Sequence, residues 1–305
     1  DRSPSRGLGD VYKRQSLIFP ILEKYYERND NMEYFRHIQL NAHLIRIIGL
    51  DETCFYLVNG SEKTVLLDAG SGYGDLKSYI EENKLATHDE IDVIVTHGHH
   101  DHIGGADSFN KIYMNHKDLK VFKEFGTMES RLNYTHEFEE RMGIKFADSM
   151  LPMTKKTLLP IEDYQVFDLG DIHIKMIPVA GHTPGMMCPL IEEDRICIFG
   201  DACGVSVLLM GEYSSNVSEY KQSLLNLKKF ENDYDTIYRN HGSYVSPKEL
   251  LDNVIECCDL ILEHKDAHQP VKMHGMDFFA AHKVEGYGRA DGKEGNIFYE
   301  DAKAK

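Results

Sequence analysis

Thr96–Gly105 reads THGHHDHIGG, and four of its side chains, His97, His99, Asp101 and His102, are of the kinds that bind divalent metals. The motif follows Ile91–Val95 (IDVIV), a nearly continuous apolar run of the sort that forms a strand buried on both faces. From a tight loop at such a strand end, His97 and His99 can converge on one ion, leaving Asp101 and His102 to face a second. Neutral imidazoles with one carboxylate suit zinc first, with iron and manganese open. Three more candidates occupy the same kind of place. His182 follows Ile172–Pro178 in AGHTPG, Asp201 follows Arg195–Phe199 in FGDAC, and His241 follows Asp235–Arg239 in NHG. In helix-covered sheets, ligand sites gather beyond the carboxyl ends of strands, where glycine turns let side chains meet. Any one of these histidines alone would read as packed or solvated. Four strand ends tipped with the same chemistry read as one site.

Working outward, Ala42–Leu50, Cys54–Asn59 and Thr64–Asp68 are short strand-like runs between Gly, Asp and Ser turns, and Gly74–Lys84 has helical spacing. A helix is expected to open near Ile103, before a short strand at Lys111–Met114. Residues 116–160 break the rhythm, with helical spacing in Leu119–Phe125 and Glu129–Met142. Strands are expected again at Tyr164–Leu169, Ile172–Pro178, Cys188–Glu192, Arg195–Phe199 and Asp235–Arg239. Helices are expected at Val217–Phe230 and at Pro247–Lys265, the latter with proline in its first turn. Val271–Tyr299 reads as a hairpin. The pattern is one α/β domain of two similar blocks over 32–305, with a helical insertion at 116–160 and a C-terminal helix and hairpin at 247–299.

Composition narrows the classes. Among 305 residues, 50 are acidic and 34 basic, a net charge of −16 that suits nucleic acid poorly. No apolar run near the start is long enough to span a bilayer, and no secretory cleavage site is evident. The six cysteines form no CxxC pair and read as buried, reduced thiols of a cytoplasmic protein. Ser5–Gln15 (SRGLGDVYKRQ) resembles a translated sequencing adapter of the kind found in assembled metagenomic DNA. Residues 1–31 are therefore expected to be non-native, with Met32 as the start; the other reading makes Ile18–Tyr26 an amphipathic helix.

The ordered set HxHxDH, then His, Asp and His, resembles the metallo-β-lactamase-fold hydrolases over about Leu44–Gly242. The resemblance implies an αββα sandwich with two metal ions in a cleft at one edge. Carried over by position, His97, His99 and His182 would hold one ion, and Asp101, His102 and His241 the other. Asp201 would bridge the two, and Asp68 in LLDAG would orient a ligand-bearing loop from behind. It further implies two divalent ions, zinc first, holding a bridging hydroxide that attacks a small-molecule ester, lactone or thioester. Asp101 and Asp201 are the catalytic carboxylates of this reading.

Departures from the family's subgroups matter. Typical metallo-β-lactamases lack the bridging Asp, so Asp201 argues against antibiotic hydrolysis as the main role. Lactonases of the family place a Tyr where this chain has Gly204; Tyr213 is a candidate substitute. Glyoxalase II-like thioesterases share the ligand set, but only 64 residues follow His241, too few signals for their C-terminal helical domain. The rivals are a persulfide dioxygenase-like oxidoreductase with a single iron, and a phosphodiesterase or nuclease. The 116–160 insertion, with Phe125, Tyr134, Phe138 and Met150, reads as a substrate lid or a homodimer contact. Arg131, Lys155, Lys156 and Arg289 are candidate anchors for a substrate carboxylate, and the segment around Gly286-Tyr287-Gly288 is placed beside the cleft. His116, His136, His274 and His282 could approach substrate; no membrane or nucleic-acid partner is expected.

Overall fold

Strands rich in β-branched residues, alternating between two buried faces, build the centre of the molecule. The computed structural model describes residues 33–305 except 144, 154–156, 274 and 287. The expectations for 1–31 and Met32, and for Lys155, Lys156, His274 and Tyr287, lie outside the described residues. The first sheet holds β1 (Phe35–Gln39), β2 (Leu44–Gly49), β3 (Cys54–Asn59), β4 (Thr64–Leu67), β5 (Ile91–Val95), β6 (Ile112–Met114) and β7 (Leu158–Pro160), side by side in that order. β1–β4 form an antiparallel meander, and β4–β7 are parallel. Then come β8 (Val166–Asp168), β9 (His173–Pro178), β10 (Met187–Ile191), β11 (Ile196–Ile198), β12 (Val207–Leu209), β13 (Thr236–Tyr238) and β14 (Val245–Ser246). All but β12 form the second sheet, in the order β14-β13-β11-β10-β9-β8.

The two sheets face each other across a core that includes Leu44, Tyr56, Val58, Leu67 and Ile94 from one side and Ile174, Met176, Met187 and Ile198 from the other. Their alternates are buried too. On the first sheet Ile45, Ile47, Phe55 and Leu57 are almost wholly shielded, and Tyr73 stacks on Phe35 at 6.0 Å. On the second sheet Ile177, Cys188 and Cys197 pack against two outer helices. Among the described residues there are six α-helices: α1 (Leu76–Glu82), α2 (His100–Ile103), α3 (Leu119–Phe125), α4 (Met128–Met142), α5 (Val217–Lys228) and α6 (Leu250–Leu262). α5 and α6 bury Tyr220, Leu224, Leu227, Val254, Cys258 and Ile261 on the second sheet. Helices outside two stacked sheets make the αββα sandwich. α5 starts on a capping box, with the Asn216 side chain accepting from Glu219 N–H and the Glu219 carboxylate answering at Asn216 N–H. All six cysteines are buried and free.

Several boundaries differ from the sequence reading. The helix expected near Ile103 opens at His100, inside the His97–His102 motif. Pro247 is not in the first turn of α6; it lies in a lead-in turn whose carbonyl accepts from Leu250 N–H at 3.1 Å. The tail is more than a hairpin. β15 (Gln269–Met273) and β16 (Met276–Ala280) are one, but β19 (Ile297–Tyr299) joins β16 to β12 in a third, four-stranded sheet, and β17 (Val284–Glu285) pairs with β18 (Gly288–Arg289). The insertion returns through β7 to the edge of the first sheet. Among the described residues no helix is long and apolar enough to cross a membrane.

Candidate metal centre

The ends of β5, β9, β11 and β13 meet at one edge of the sandwich, and they bring His97, His99, Asp101, His102, His182, Asp201 and His241 together. Ligand-type atoms of His97, His99 and His182 lie within 4.8 Å of one another, as do those of Asp101, His102 and His241, and those of His97, His102 and Asp201. Asp201 stands between the first two groups. Its Oδ2 is 3.9 Å from His97 Nε2, 3.8 Å from His182 Nε2 and 3.5 Å from His102 Nε2, while its Oδ1 is 3.5 Å from His241 Nε2. Asp101 Oδ2 lies 3.2 Å from His241 Nε2 and 3.5 Å from His102 Nε2.

Hydrogen bonds behind the rings fix which nitrogen faces inward. His182 Nδ1 is 2.9 Å from the Leu208 carbonyl, which only accepts, so Nδ1 carries the proton and Nε2 is a bare lone pair. Thr96 gives its hydroxyl proton to Asp68 Oδ2 at 2.9 Å and so accepts from His97 Nδ1 at 3.1 Å, leaving His97 Nε2 bare. Both lone pairs point at His99 Nδ1, each at 3.0 Å. One ring nitrogen has at most one proton to give, so at least one of the two is left unsatisfied. In the other group, His102 Nδ1 is held by Asp68 Oδ2 at 2.9 Å, while His102 Nε2 is buried with no hydrogen-bond partner. An oriented imidazole whose inward nitrogen makes no hydrogen bond and faces only carboxylates at 3.5 Å is arranged to share a cation with them. The donor set fits divalent metal ions in both groups.

Electrostatics point the same way. Burial, reinforced by neighbouring imidazoles, holds His97 and His99 well below the ordinary histidine range. Burial works against charge on His102 and His241 as well, but Asp101 and Asp201 outweigh it and raise both. The two carboxylates also feel burial, yet the histidines hold Asp101 and Asp201 well below the usual carboxylate range.

Asp68 ties these loops together. It accepts from Thr96 N–H at 2.7 Å and from the Asn240 amide at 3.1 Å besides Thr96 Oγ1 and His102, and it sits at φ 62°, a left-handed backbone unusual for a side-chain-bearing residue. Thr96, Asn240 and the Leu208 carbonyl were not singled out from sequence. The Gly-Gly of the motif has a packing reason: a Cβ on Gly104 would lie 2.3 Å from Ser71 O, and one on Gly105 2.4 Å from Ala69 O. Tyr220 of α5 lies under two further loops, donating to Ala202 O at 2.6 Å and leaving Gly181 no room for a side chain.

A cavity of about 110 Å³ opens beside the three-histidine group, lined by His99 and His182 with Glu124, Phe125, Glu212 and Tyr213 among others. Phe125 meets His99 edge-on at 4.8 Å, and Tyr213 donates to Glu124 Oε2 at 2.7 Å. That bond, with burial secondary, pushes the Tyr213 hydroxyl up to about 12. Tyr134 of α4 packs on His100 at 4.2 Å. The other expectations for this region are corrected. Arg131 is buried and donates to the carbonyls of Ser71, Gly104 and Leu151 at 3.3, 3.2 and 2.9 Å, so it anchors the insertion rather than substrate. Arg289 is buried on Asp291 and the Gly295 carbonyl, and none of Gly286, Gly288 and Arg289 lines this cavity. His116 binds the Leu158 carbonyl, His136 is exposed beside Glu139, and His282 faces Glu256; none of them lines the cavity.

Comparison with known proteins adds lineage. The family model described as the metallo-beta-lactamase superfamily matches residues 49–238. Hydroxyacylglutathione hydrolase GloC of Haemophilus influenzae is 24% identical over 68% of this chain and 93% of its own length. Acyl-coenzyme A thioesterase MBLAC2 of Homo sapiens is 26% identical over 54% of this chain, and the match spans 63% of that protein's length. Among solved structures, a metallo-beta-lactamase from Pontibacter korlensis superposes with a TM-score of 0.55 at 12% identity, covering 74% of this chain and 99% of that one.

Proposed function

Since the chain belongs to the metallo-beta-lactamase superfamily, we propose that it is a metal-dependent hydrolase of small thioesters or esters with a two-ion centre. The observation that carries the reading is the pair of donor groups joined through Asp201, whose two oxygens face different groups. His97, His99 and His182 would hold one ion, Asp101, His102 and His241 the other, and Asp201 both. When bound, the ions lower the pKa of water to supply a nucleophile near neutral pH and polarise the scissile carbonyl. The protein holds His97 and His99 neutral and both carboxylates ionised, which is the protonation state ligation requires of them, while His102 and His241, with raised pKa values, would give up a proton on binding. Asp101, held well below the usual carboxylate range by the histidines around it, is ionised at rest and would serve as ligand and acceptor. A thiolate leaves without an acid, so the thioester branch asks least of this site.

The names of two relatives, a hydroxyacylglutathione hydrolase and an acyl-coenzyme A thioesterase, favour the same branch. A single-iron centre would occupy one donor group and leave the inward-facing atoms of the other without an ion. A phosphodiester would bring its charge against Glu124 and Glu212 at the cavity wall. The test is elemental analysis of the purified protein together with turnover of a thioester, ester and lactone panel. Two metals per chain and chelator-sensitive thioester hydrolysis are expected. One iron per chain with oxygen uptake and no hydrolysis would replace this reading.

A further inference from the structure

Asp118 belongs to neither donor group, yet it is wholly buried between the loops that carry the three-histidine group. It closes the short 3-10 turn His116–Asp118 that follows β6. Its Oδ2 accepts from Gly98 N–H at 2.9 Å and from the Thr183 hydroxyl at 2.7 Å, and its Oδ1 accepts from Gly185 N–H at 2.5 Å. Gly98 stands between His97 and His99; Thr183 follows His182, and Gly185 comes two residues later. The fit is tight, since a Cβ on Gly185 would lie 2.8 Å from Asp118 Cγ and one on Gly98 3.0 Å from Asp118 O. Burying a carboxylate is expensive unless hydrogen bonds replace its water. Here the replacements come from the β5 loop on one side and the β9 loop on the other.

We propose that Asp118 is the positioning residue of the three-histidine group. Its carboxylate latches the β5 loop to the β9 loop and so sets the spacing of the inward nitrogens of His97, His99 and His182. The inference rests on the reading of that group as a metal site. It assigns Asp118 no contact with substrate and no part in the Asp101, His102 and His241 group, where Asp68 holds His102 and Asn240 from behind.

Asparagine copies the shape of Asp118 but not its two acceptors. Whichever way its amide turns, an N–H replaces an oxygen that received a backbone N–H. The experiment compares wild type with Asp118→Asn and Thr183→Val, each loaded with zinc, by chelator competition with elemental analysis and by hydrogen exchange. Asp118→Asn is expected to lose one of the two zinc ions at chelator strengths that leave wild type full, with affinity at that site down about 10–100-fold. The Gly98 and Gly185 amides are expected to exchange at least about tenfold faster, with the β2 and β3 amides unchanged. Thr183→Val removes one donor and should fall between the two, and it decides the question if Asp118→Asn does not fold. Both zinc ions retained with wild-type affinity would overturn the proposal. So would loss of both ions in step with faster exchange throughout the chain, the mark of a merely structural role. A wild type that takes up no metal defeats the metal-centre reading instead, and exchange at Gly98 and Gly185 then judges the latch alone.

Discussion

His102 and His97 are five residues apart and face opposite electrostatic tasks. His97 is surrounded by other imidazoles and by burial, so it stays neutral below the ordinary histidine pKa. His102 is also buried, but Asp101, Asp68 and Asp201 surround it and raise its pKa well above that value; His241 is raised by Asp201 and Asp101. A metal must displace any proton its ligand carries. His97 and His99, with lowered pKa values, meet little proton competition near neutral pH, so the affinity of their group should depend on pH less than that of the other. For the group with raised values, protons occupy His102 and His241 as the pH falls through their pKa values, so its affinity should rise with pH. Zinc titration in weak buffer at pH 7 should therefore release about one proton more for one equivalent than for the other. Equal release for both equivalents would contradict this assignment of charge.

At the scale of elements, Arg131 of α4 does most to fasten the insertion to the floor of the site. Arg131 supplies the hydrogen bonds that three loop carbonyls receive there, those of Ser71, Gly104 and Leu151. Arg131→Ala should lower stability by about 2–4 kcal/mol, because buried acceptors are left without donors; urea unfolding measures it, and a change below about 0.5 kcal/mol would show that water or neighbours replace the guanidinium. This residue also shows where sequence reading stops. The convergence of the seven candidate ligands was legible because they follow apolar runs at four strand ends with glycine close by, so the local pattern reports both the strand and its end. Arg131 reads as one more helix cation, since its acceptors are backbone carbonyls 20 to 60 residues away that leave no trace in side-chain identity. Asp118 is hidden for the same reason, its Gly185 partner lying 67 residues on. β12 escaped notice because three residues show no period, and only its parallel pairing with Ile297–Tyr299 makes it a strand. Helices long enough to show spacing, such as Leu119–Phe125 and Val217–Lys228, were placed nearly to the residue.

For the molecule as a whole, the net charge of −16 is not spread away from the site. The cavity beside His99 and His182 carries Glu124 and Glu212, and among the described residues lining it there is no lysine or arginine. An acyl group that enters there meets negative potential from the wall before it reaches the donor groups. Phe125 and Tyr213 offer it aromatic surface instead, in a cavity of about 110 Å³ that opens to solvent. The enzyme should therefore favour a neutral acyl thioester over the same chain ending in a carboxylate. Glu124 and Glu212 are exposed, so solvent screens them and each is worth about a 2–5-fold preference in kcat/KM. Glu124→Gln keeps an acceptor for the Tyr213 hydroxyl while removing the charge, so the neutral substrate should be unaffected and the anionic one should gain by that factor. Raising the salt concentration should narrow the wild-type preference by shielding the same charges. If wild type hydrolyses both substrates equally, or if Glu124→Gln shifts them together, the acyl chain does not lie in this cavity and selection rests on another wall of the cleft.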